Sequence, residues 1–138
     1  LIKIAVAYFE NPKLIKTILG CLTNICTTDQ ARDALCHEKE LYVLMFNVLD
    51  KYDYISFIID YALRLILNTT PNDTFYKNYA SITFLEKLIY LLHCYQFEET
   101  ISRNLIKILR IICSRIKALE NFEKALKNYE SANKGFNL

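Results

Sequence analysis

Apolar residues follow a helical period along almost the whole chain. After Pro12 they recur with the three- and four-residue spacing of an amphipathic helix, at Leu14, Ile18, Cys21, Leu22 and Ile25. Asn11-Pro12 is a suitable start, because proline at the first helical position loses no hydrogen bond. A short helix is predicted over Asp29–His37, with Thr27 to Gln30 as its capping box, and a longer helix over Glu40–Leu49. The predicted order is a long, a short and a medium helix.

This three-helix pattern recurs. Leu14, Ile58 and Ile101 occupy the same place in the long helix and are 44 and 43 residues apart. The aligned positions, all apolar except Thr69, are Leu14, Ile18, Leu19, Cys21, Leu22 and Ile25, then Ile58, Ala62, Leu63, Leu65, Ile66 and Thr69, then Ile101, Leu105, Ile106, Ile108, Leu109 and Ile112. In the medium helix, Leu41, Leu44, Met45 and Val48 coincide 44 residues later with Leu85, Leu88, Ile89 and Leu92. Such a period is typical of a helical solenoid.

The residues that carry the period resemble armadillo repeats. Leu19–Cys26 (LGCLTNIC) is similar to the third-helix motif of that family, Ala31–Leu35 to its short first helix and Leu41–Leu49 to its second. The resemblance covers roughly residues 1–117 and implies an all-α, right-handed α-solenoid of about three repeats. HEAT repeats, which lack the short helix, are the nearest alternative.

The predicted organisation is one repeat domain over residues 1–130, followed by a flexible tail at 131–138. Residues 1–11 are the end of a truncated repeat, 12–50 and 53–95 are whole repeats, and 97–130 is a last repeat or cap with a helix over 118–130. Because the chain begins without Met inside an apolar pattern, we expect it to be a segment of a longer protein.

The chain departs from the family pattern in two respects. The glycine that usually separates the first and second helices is replaced by Glu38-Lys39-Glu40 and Ala80-Ser81-Ile82, so polar residues or a short loop must make the bend, or the helices merge. The tryptophan of the family's peptide-binding ladder is absent, since the chain has no Trp.

Composition fits a single folded domain. The 138 residues are 53% hydrophobic and 23% charged, and only 2 Gly and 2 Pro argue against an all-β fold. A net charge of +2 is too small to indicate nucleic-acid binding by itself. The 5 cysteines stand in apolar runs without disulfide spacing, so we expect them to pack inside an intracellular protein, cytoplasmic or nuclear. No run reaches the ~18–20 apolar residues that span a bilayer, so no membrane partner is expected.

Catalytic chemistry is not indicated. His37 follows Cys36 and His93 precedes Cys94, but neighbours on a helix diverge by ~100° and no zinc spacing is present. The same divergence argues against a Cys–His nucleophile pair. Glu98-Glu99 at a predicted helix start favour the helix dipole rather than acid–base work. We therefore expect no enzyme activity, metal or cofactor.

The resemblance implies that the long helices line a concave groove. The long-helix positions outside the shared apolar stripe then predict its lining, which is Lys13, Lys16, Asn24, Phe57, Tyr61, Arg64, Asn68, Arg103, Asn104, Lys107 and Arg110. Asn24 and Asn68 stand where armadillo proteins hold a peptide backbone with an asparagine amide, but Ile111 breaks this ladder.

The charge of the groove predicts its partner. Lys13, Lys16, Arg64, Arg103, Lys107 and Arg110 share it with one acid, Asp60. Arg64 and Lys107, with Gly20, take the tryptophan positions, so a basic peptide would be repelled. We expect a protein-binding scaffold module that holds an extended, acidic or phosphorylated segment. The alternatives are a nucleic-acid backbone, against which the small patch argues, and self-association through the solenoid ends at Leu1, Ile4 and Ala5.

Overall fold

The computed structural model describes residues 1–133, and over that range helices are joined by short turns, with no strand. In chain order the helices are α1 (Ile2–Ala7), α2 (Pro12–Ile25), α3 (Asp29–Cys36), α4 (Lys39–Lys51), α5 (Ser56–Thr69), α6 (Asp73–Tyr79), α7 (Ile82–Cys94), α8 (Glu99–Ile112) and α9 (Ile116–Ala132). The all-α class predicted from the apolar pattern is confirmed.

Polar side chains begin several of these helices by accepting backbone hydrogen bonds. Asn11 Oδ1 accepts from the Leu14 amide at 3.1 Å, directly before Pro12, as predicted. The cap of α3 is Thr28, whose Oγ1 accepts from the Ala31 amide at 3.2 Å. The predicted cap at Thr27 is therefore wrong by one residue, because two successive threonines compete for this role and Thr28 has the extended backbone that a cap requires.

The bends between short and medium helices are made without glycine. His37 ends α3, and Glu38 precedes α4 in an extended conformation. At the second bend Ser81 accepts from the Phe84 amide at 3.3 Å, so its hydroxyl caps α7. The predicted polar bends are confirmed at these two places. After α8 the chain instead runs directly into α9, and no separate short helix precedes α9 within residues 1–133.

Helices three apart in the chain pack side by side, and α9, the second helix after α7, packs against α7. Helix α5 contacts α2 on one flank and α8 on the other, while α1, α4, α7 and α9 form a second row joined to the first through α4–α5 and α7–α8 contacts. The three long helices each have 14 residues and begin at Pro12, Ser56 and Glu99, so their bounds recur with the predicted offsets of 44 and 43. The bounds of α4 and α7 are offset by 43, one less than their apolar alignment.

The core lies between the two rows. All six aligned positions of α5, including Thr69, are buried, because this helix has a neighbour on both flanks. Thr69 Oγ1 lies 2.7 Å from the buried Tyr79 hydroxyl and also donates to a backbone carbonyl, which explains how a polar residue fits there. The outer long helices are less covered, and the predicted core residues Cys21, Ile25 and Ile106 are exposed.

A tyrosine at the end of each medium helix ties neighbouring units together. The Tyr52 hydroxyl, after α4, donates to the backbone carbonyl of Phe9. The Tyr95 hydroxyl, after α7, donates to the carbonyl of Asp53, 44 residues beyond Phe9. Tyr8 holds the same position after α1, where its side chain is 60% exposed. These bonds repeat with the helices and fix the unit-to-unit register.

We expect Tyr52→Phe and Tyr95→Phe each to lower the free energy of unfolding by about 0.5–1.5 kcal/mol, because each variant leaves a carbonyl without its donor. Urea denaturation followed by circular dichroism measures this change. Tyr54→Phe is the matched control, since Tyr54 is 75% exposed and should alter stability little. Equal losses in all three variants would show that the ties contribute nothing specific.

The ends of the described chain differ from the sequence prediction. Leu1 and Ile4 are about half exposed, as predicted, but Ala5 is 1% exposed because α1 turns it onto the core. The last helix begins at Ile116 and ends at Ala132, longer than the predicted 118–130. Ser131 and Ala132 thus belong to α9 rather than to a tail, and residues 134–138 of the predicted flexible tail lie outside the described residues.

Within residues 1–133, no helix combines the length and the apolar character that a membrane span requires.

Candidate peptide-binding surface

The outer sides of α2, α5 and α8 form one surface, called here the α2–α5–α8 face. Its amphipathic helices bury one stripe and leave polar residues in solvent. Every predicted groove residue is exposed or half-buried; Tyr61, Asn68 and Asn104 are half-buried, and Lys13, Lys16, Asn24, Phe57, Arg64, Arg103, Lys107 and Arg110 are exposed.

Side-chain contacts bring the α2 and α5 members of this face together. The Lys16 ammonium lies 5.3 Å from the Phe57 ring centroid and 5.8 Å from that of Tyr61. The Arg64 guanidinium lies 5.2 Å from the Tyr61 centroid. On α8, Arg103, Lys107 and Arg110 are assigned to this face by the 43-residue offset between α5 and α8, two helices that contact each other.

A cleft of about 570 Å³ lies between α2 and α5. Its lining is Lys13, Lys16, Thr17, Gly20, Cys21, Asn24, Phe57 and Tyr61. Gly20 packs close to the Tyr61 ring, since a Cβ at this position would sit 3.5 Å from Tyr61 Cε1, an ordinary van der Waals contact. The cleft therefore has cations and an amide on α2 and two aromatic rings on α5.

The cations of the face fall into two groups. Arg64 pairs with Asp60 Oδ2 at 2.9 Å, and Arg103 pairs with Glu99 on the same helix. Among residues 1–133, the ion pairs of this face are these two, which leaves Lys13, Lys16, Lys107 and Arg110 without a carboxylate within 4.0 Å. The uncompensated cations are therefore on α2 and α8, the two outer long helices. The paired arginines are Arg64 on α5 and Arg103 on α8.

The two asparagines have different surroundings. Asn24 is exposed and lines the cleft. The Asn68 side-chain amide donates to the Thr23 carbonyl at 3.2 Å and so ties α5 to α2. This amide hydrogen is used within the fold, so Asn24 is the better placed of the two to bind a peptide backbone.

The cysteines differ from the prediction that all pack inside. Cys26 and Cys36 are buried and Cys113 is partly buried, but Cys21 and Cys94 are exposed. Burial raises the pKa of the Cys36 thiol to about 12 and also raises the pKa of Cys26. Both thiols are therefore protonated near neutral pH, when they are poor nucleophiles and metal ligands.

The Cys–His neighbours do not assemble into a site. His37 lies at the C-terminal end of α3, as predicted, and His93 is on α7 beside the Tyr129 ring, with 6.3 Å between ring centroids. In the part of the chain that the structure describes, no group of three or more His, Cys, Asp or Glu residues could hold a metal ion.

Sequence reasoning assigned Cys21 to the core and left it out of the groove, although it lines the cleft. The periodicity gives no signal of this, because Cys21 has the same phase as the buried Leu65 and Ile108. Thr17 and Gly20 are the other lining residues outside the predicted set, and the Thr17 hydroxyl donates to the Lys13 carbonyl at 3.0 Å.

Comparisons with protein-family models, with curated proteins and with solved structures find no match for this chain. The resemblance to armadillo repeats thus depends on the residues and helix spacing described above.

Proposed function

We propose that the chain is an armadillo-like α-solenoid module that binds an extended acidic or phosphorylated peptide across the α2–α5–α8 face. The solenoid interpretation is supported by the recurring helix bounds, by the packing of each long helix against its counterpart one unit away, and by the repeated tyrosine ties. The module has about three repeats and a right-handed superhelix, as the resemblance implies.

The observation that carries the binding proposal is the group of exposed cations without carboxylate partners. Lys13 and Lys16 are exposed on α2, and Lys107 and Arg110 are exposed on α8, the two helices that flank α5. Carboxylate or phosphate groups of a peptide would form charge-assisted hydrogen bonds with them, which are stronger than neutral ones. A nucleic-acid backbone fits less well, because Asp60 and Glu99 already compensate Arg64 and Arg103 and reduce the positive patch.

The role we propose is a scaffold rather than an enzyme. The face presents cations, amides and aromatic rings, which recognise a ligand, whereas the buried thiols are held protonated. The free thiols at all five cysteine positions favour a reducing compartment, so we place the module in the cytoplasm or nucleus.

Charge reversal on α8 tests this function. We expect Lys107→Glu with Arg110→Glu to weaken binding of a fluorescein-labelled, glutamate-rich decapeptide by about tenfold or more, because two attractive contacts become repulsive. Fluorescence anisotropy gives the affinity, which for the unaltered protein should also fall as salt is added.

The matched control is Lys124→Glu with Lys127→Glu on α9. Both lysines are exposed and belong to the second row, and this variant makes the same change in net charge. It should retain nearly all of the affinity. If both double variants bind the peptide equally, or if the unaltered protein does not bind it, the proposed function is wrong.

A further inference from the structure

We propose that the cleft between α2 and α5 is the subsite for a phosphotyrosine side chain of the bound peptide. This inference rests on the proposed function and assigns a ligand to one part of the face. It depends on two chemistries that meet in this cleft, a pair of uncompensated lysines and two accessible aromatic rings.

The aromatic half belongs to α5 alone. Phe57 is 44% exposed although it is a large apolar residue on a solvent-facing side. At the corresponding positions of the other long helices stand Lys13 and Thr100, and Tyr61 corresponds to Thr17 and Asn104. Rings are therefore concentrated at one point of the face, where they offer a surface on which another aromatic ring can stack.

Gly20 lines the cleft and lies close to the Tyr61 ring. A Cβ here would make an ordinary contact with Tyr61 at 3.5 Å, so it is the absence of a long side chain that leaves space beside the exposed Phe57 ring. Arg64 corresponds to Gly20 one unit later, and Lys107 one unit after that. Long cationic side chains occupy these later positions, so the slot for a planar group is specific to the α2–α5 step.

The anion-binding half of the cleft belongs to α2. Lys13 and Lys16 both line the cleft, and the Lys16 ammonium lies within 6 Å of both ring centroids. A phosphate monoester carries a charge of about −1.5 to −2 near neutral pH, which two lysines can neutralise. In phosphotyrosine the phosphate is attached to the ring, so one side chain would contact the rings and the ammonium groups together.

Other acidic side chains satisfy only half of this arrangement. Phosphoserine and glutamate place their charge on a short aliphatic stem and would leave the Phe57 ring in water. Unmodified tyrosine would stack but would leave both lysines without an anion. The cleft is thus complementary to a ring and a dianion in the same residue.

Peptides that differ at one central position test the assignment. We expect a labelled decapeptide of alanine and glutamate with phosphotyrosine at its centre to bind about tenfold tighter than the phosphoserine peptide, because stacking adds to the charge-assisted bonds. Phe57→Ala should reduce the phosphotyrosine affinity to within about threefold of that of phosphoserine and leave phosphoserine binding unchanged. Phe97→Ala is the control, since Phe97 is 94% exposed and lies between α7 and α8.

Alkylation of the exposed thiols gives a second readout. Cys21 lines the cleft, whereas Cys94 is exposed on α7 in the second row. The phosphotyrosine peptide should slow the reaction of iodoacetamide with Cys21, measured by mass spectrometry, and leave the rate at Cys94 unchanged.

Equal affinity for the phosphotyrosine and phosphoserine peptides, or unchanged alkylation of Cys21, would overturn the subsite while the proposed function stands. Failure of every acidic peptide to bind would overturn both.

Discussion

We expect Leu105→Ala to lower the free energy of unfolding by about 2–5 kcal/mol, the range for deleting a fully buried leucine side chain. Leu105 lies in α8 with none of its surface exposed, at a position whose counterparts in α2 and α5 are also buried. Because α8 has only α5 as its neighbour in the long-helix row, the cavity cannot be refilled from the other flank. A loss of this size is a large fraction of the stability of one small domain.

The next residue provides the control. Ile106 is 47% exposed, so Ile106→Ala removes a similar volume of side chain from the same helix at a much smaller cost. Urea denaturation of the two variants measures the difference directly. If they lose the same stability, the core does not lie on the Leu105 side of α8.

Alkaline unfolding between pH 9 and pH 12 is the second large effect. Burial raises the pKa of Cys36 from 9.0 to about 12, with smaller contributions from Cys26 and Asp33, and raises that of Tyr95 from 10.0 to about 12. Burial also raises the pKa of Tyr79. The folded protein therefore holds these protons more tightly than the unfolded chain does.

The sign follows from this difference. Below pH 9 these groups are protonated in both the folded and the unfolded state, and their full contribution to the free energy of unfolding is present. Above pH 9 the unfolded chain loses these protons first, so the free energy of unfolding falls as pH rises towards 12. The loss grows with each group whose pKa burial raises, so the contributions of Cys36 and Tyr95 act in the same direction. Urea titrations at constant ionic strength from pH 8 to pH 12 measure the decline.

Tyr79→Phe tests whether buried groups that titrate cause the loss of stability at high pH. This variant removes a buried phenol that titrates, so its stability should decrease less steeply with pH even though it is lower at pH 8. Cys21→Ala, at an exposed position, should keep the original slope. Constant stability from pH 8 to pH 12 would be incompatible with the burial of these groups.

The helices and their spacing could be predicted because they depend on local order in the sequence. Pro12 and Asn11 fix the start of α2, and the recurrence of the apolar stripe places the starts of α5 and α8 44 and 43 residues along. These signals act within one helix or between repeats of the same pattern, so they need no knowledge of tertiary contacts.

The exposure of residues on the two outer long helices, α2 and α8, could not be predicted in the same way. Cys21 and Leu65 have the same phase, yet Leu65 is buried on α5, which has a long helix on both flanks, while Cys21 is exposed on α2, which has a long helix on one. Ile106 is exposed at the other side for the corresponding reason, although its counterpart Leu63 is fully buried. Periodicity gives the face of a residue, whereas burial depends on whether a neighbour covers that face.

The candidate site was predicted as a set of exposed positions, and the structure adds the relations among them. No sequence pattern shows that Asn68 donates to Thr23, 45 residues away, or that Lys16 lies over the Phe57 ring. These contacts depend on how α5 is rotated against α2. The sequence alignment of the long helices also does not distinguish the paired Arg64 and Arg103 from the cations that have no carboxylate partner.

The side-by-side order of α2, α5 and α8 sets the spacing between contacts along any ligand that crosses them. Packed helices are about 8–10 Å apart, whereas an extended backbone advances about 3.3 Å per residue. A strand laid over the three axes thus meets a new helix about every third residue, and about seven residues reach from the first axis to the last. Motifs with acidic groups at every third position match this pitch, while a helical ligand, which rises only 1.5 Å per residue, would need about twice the length.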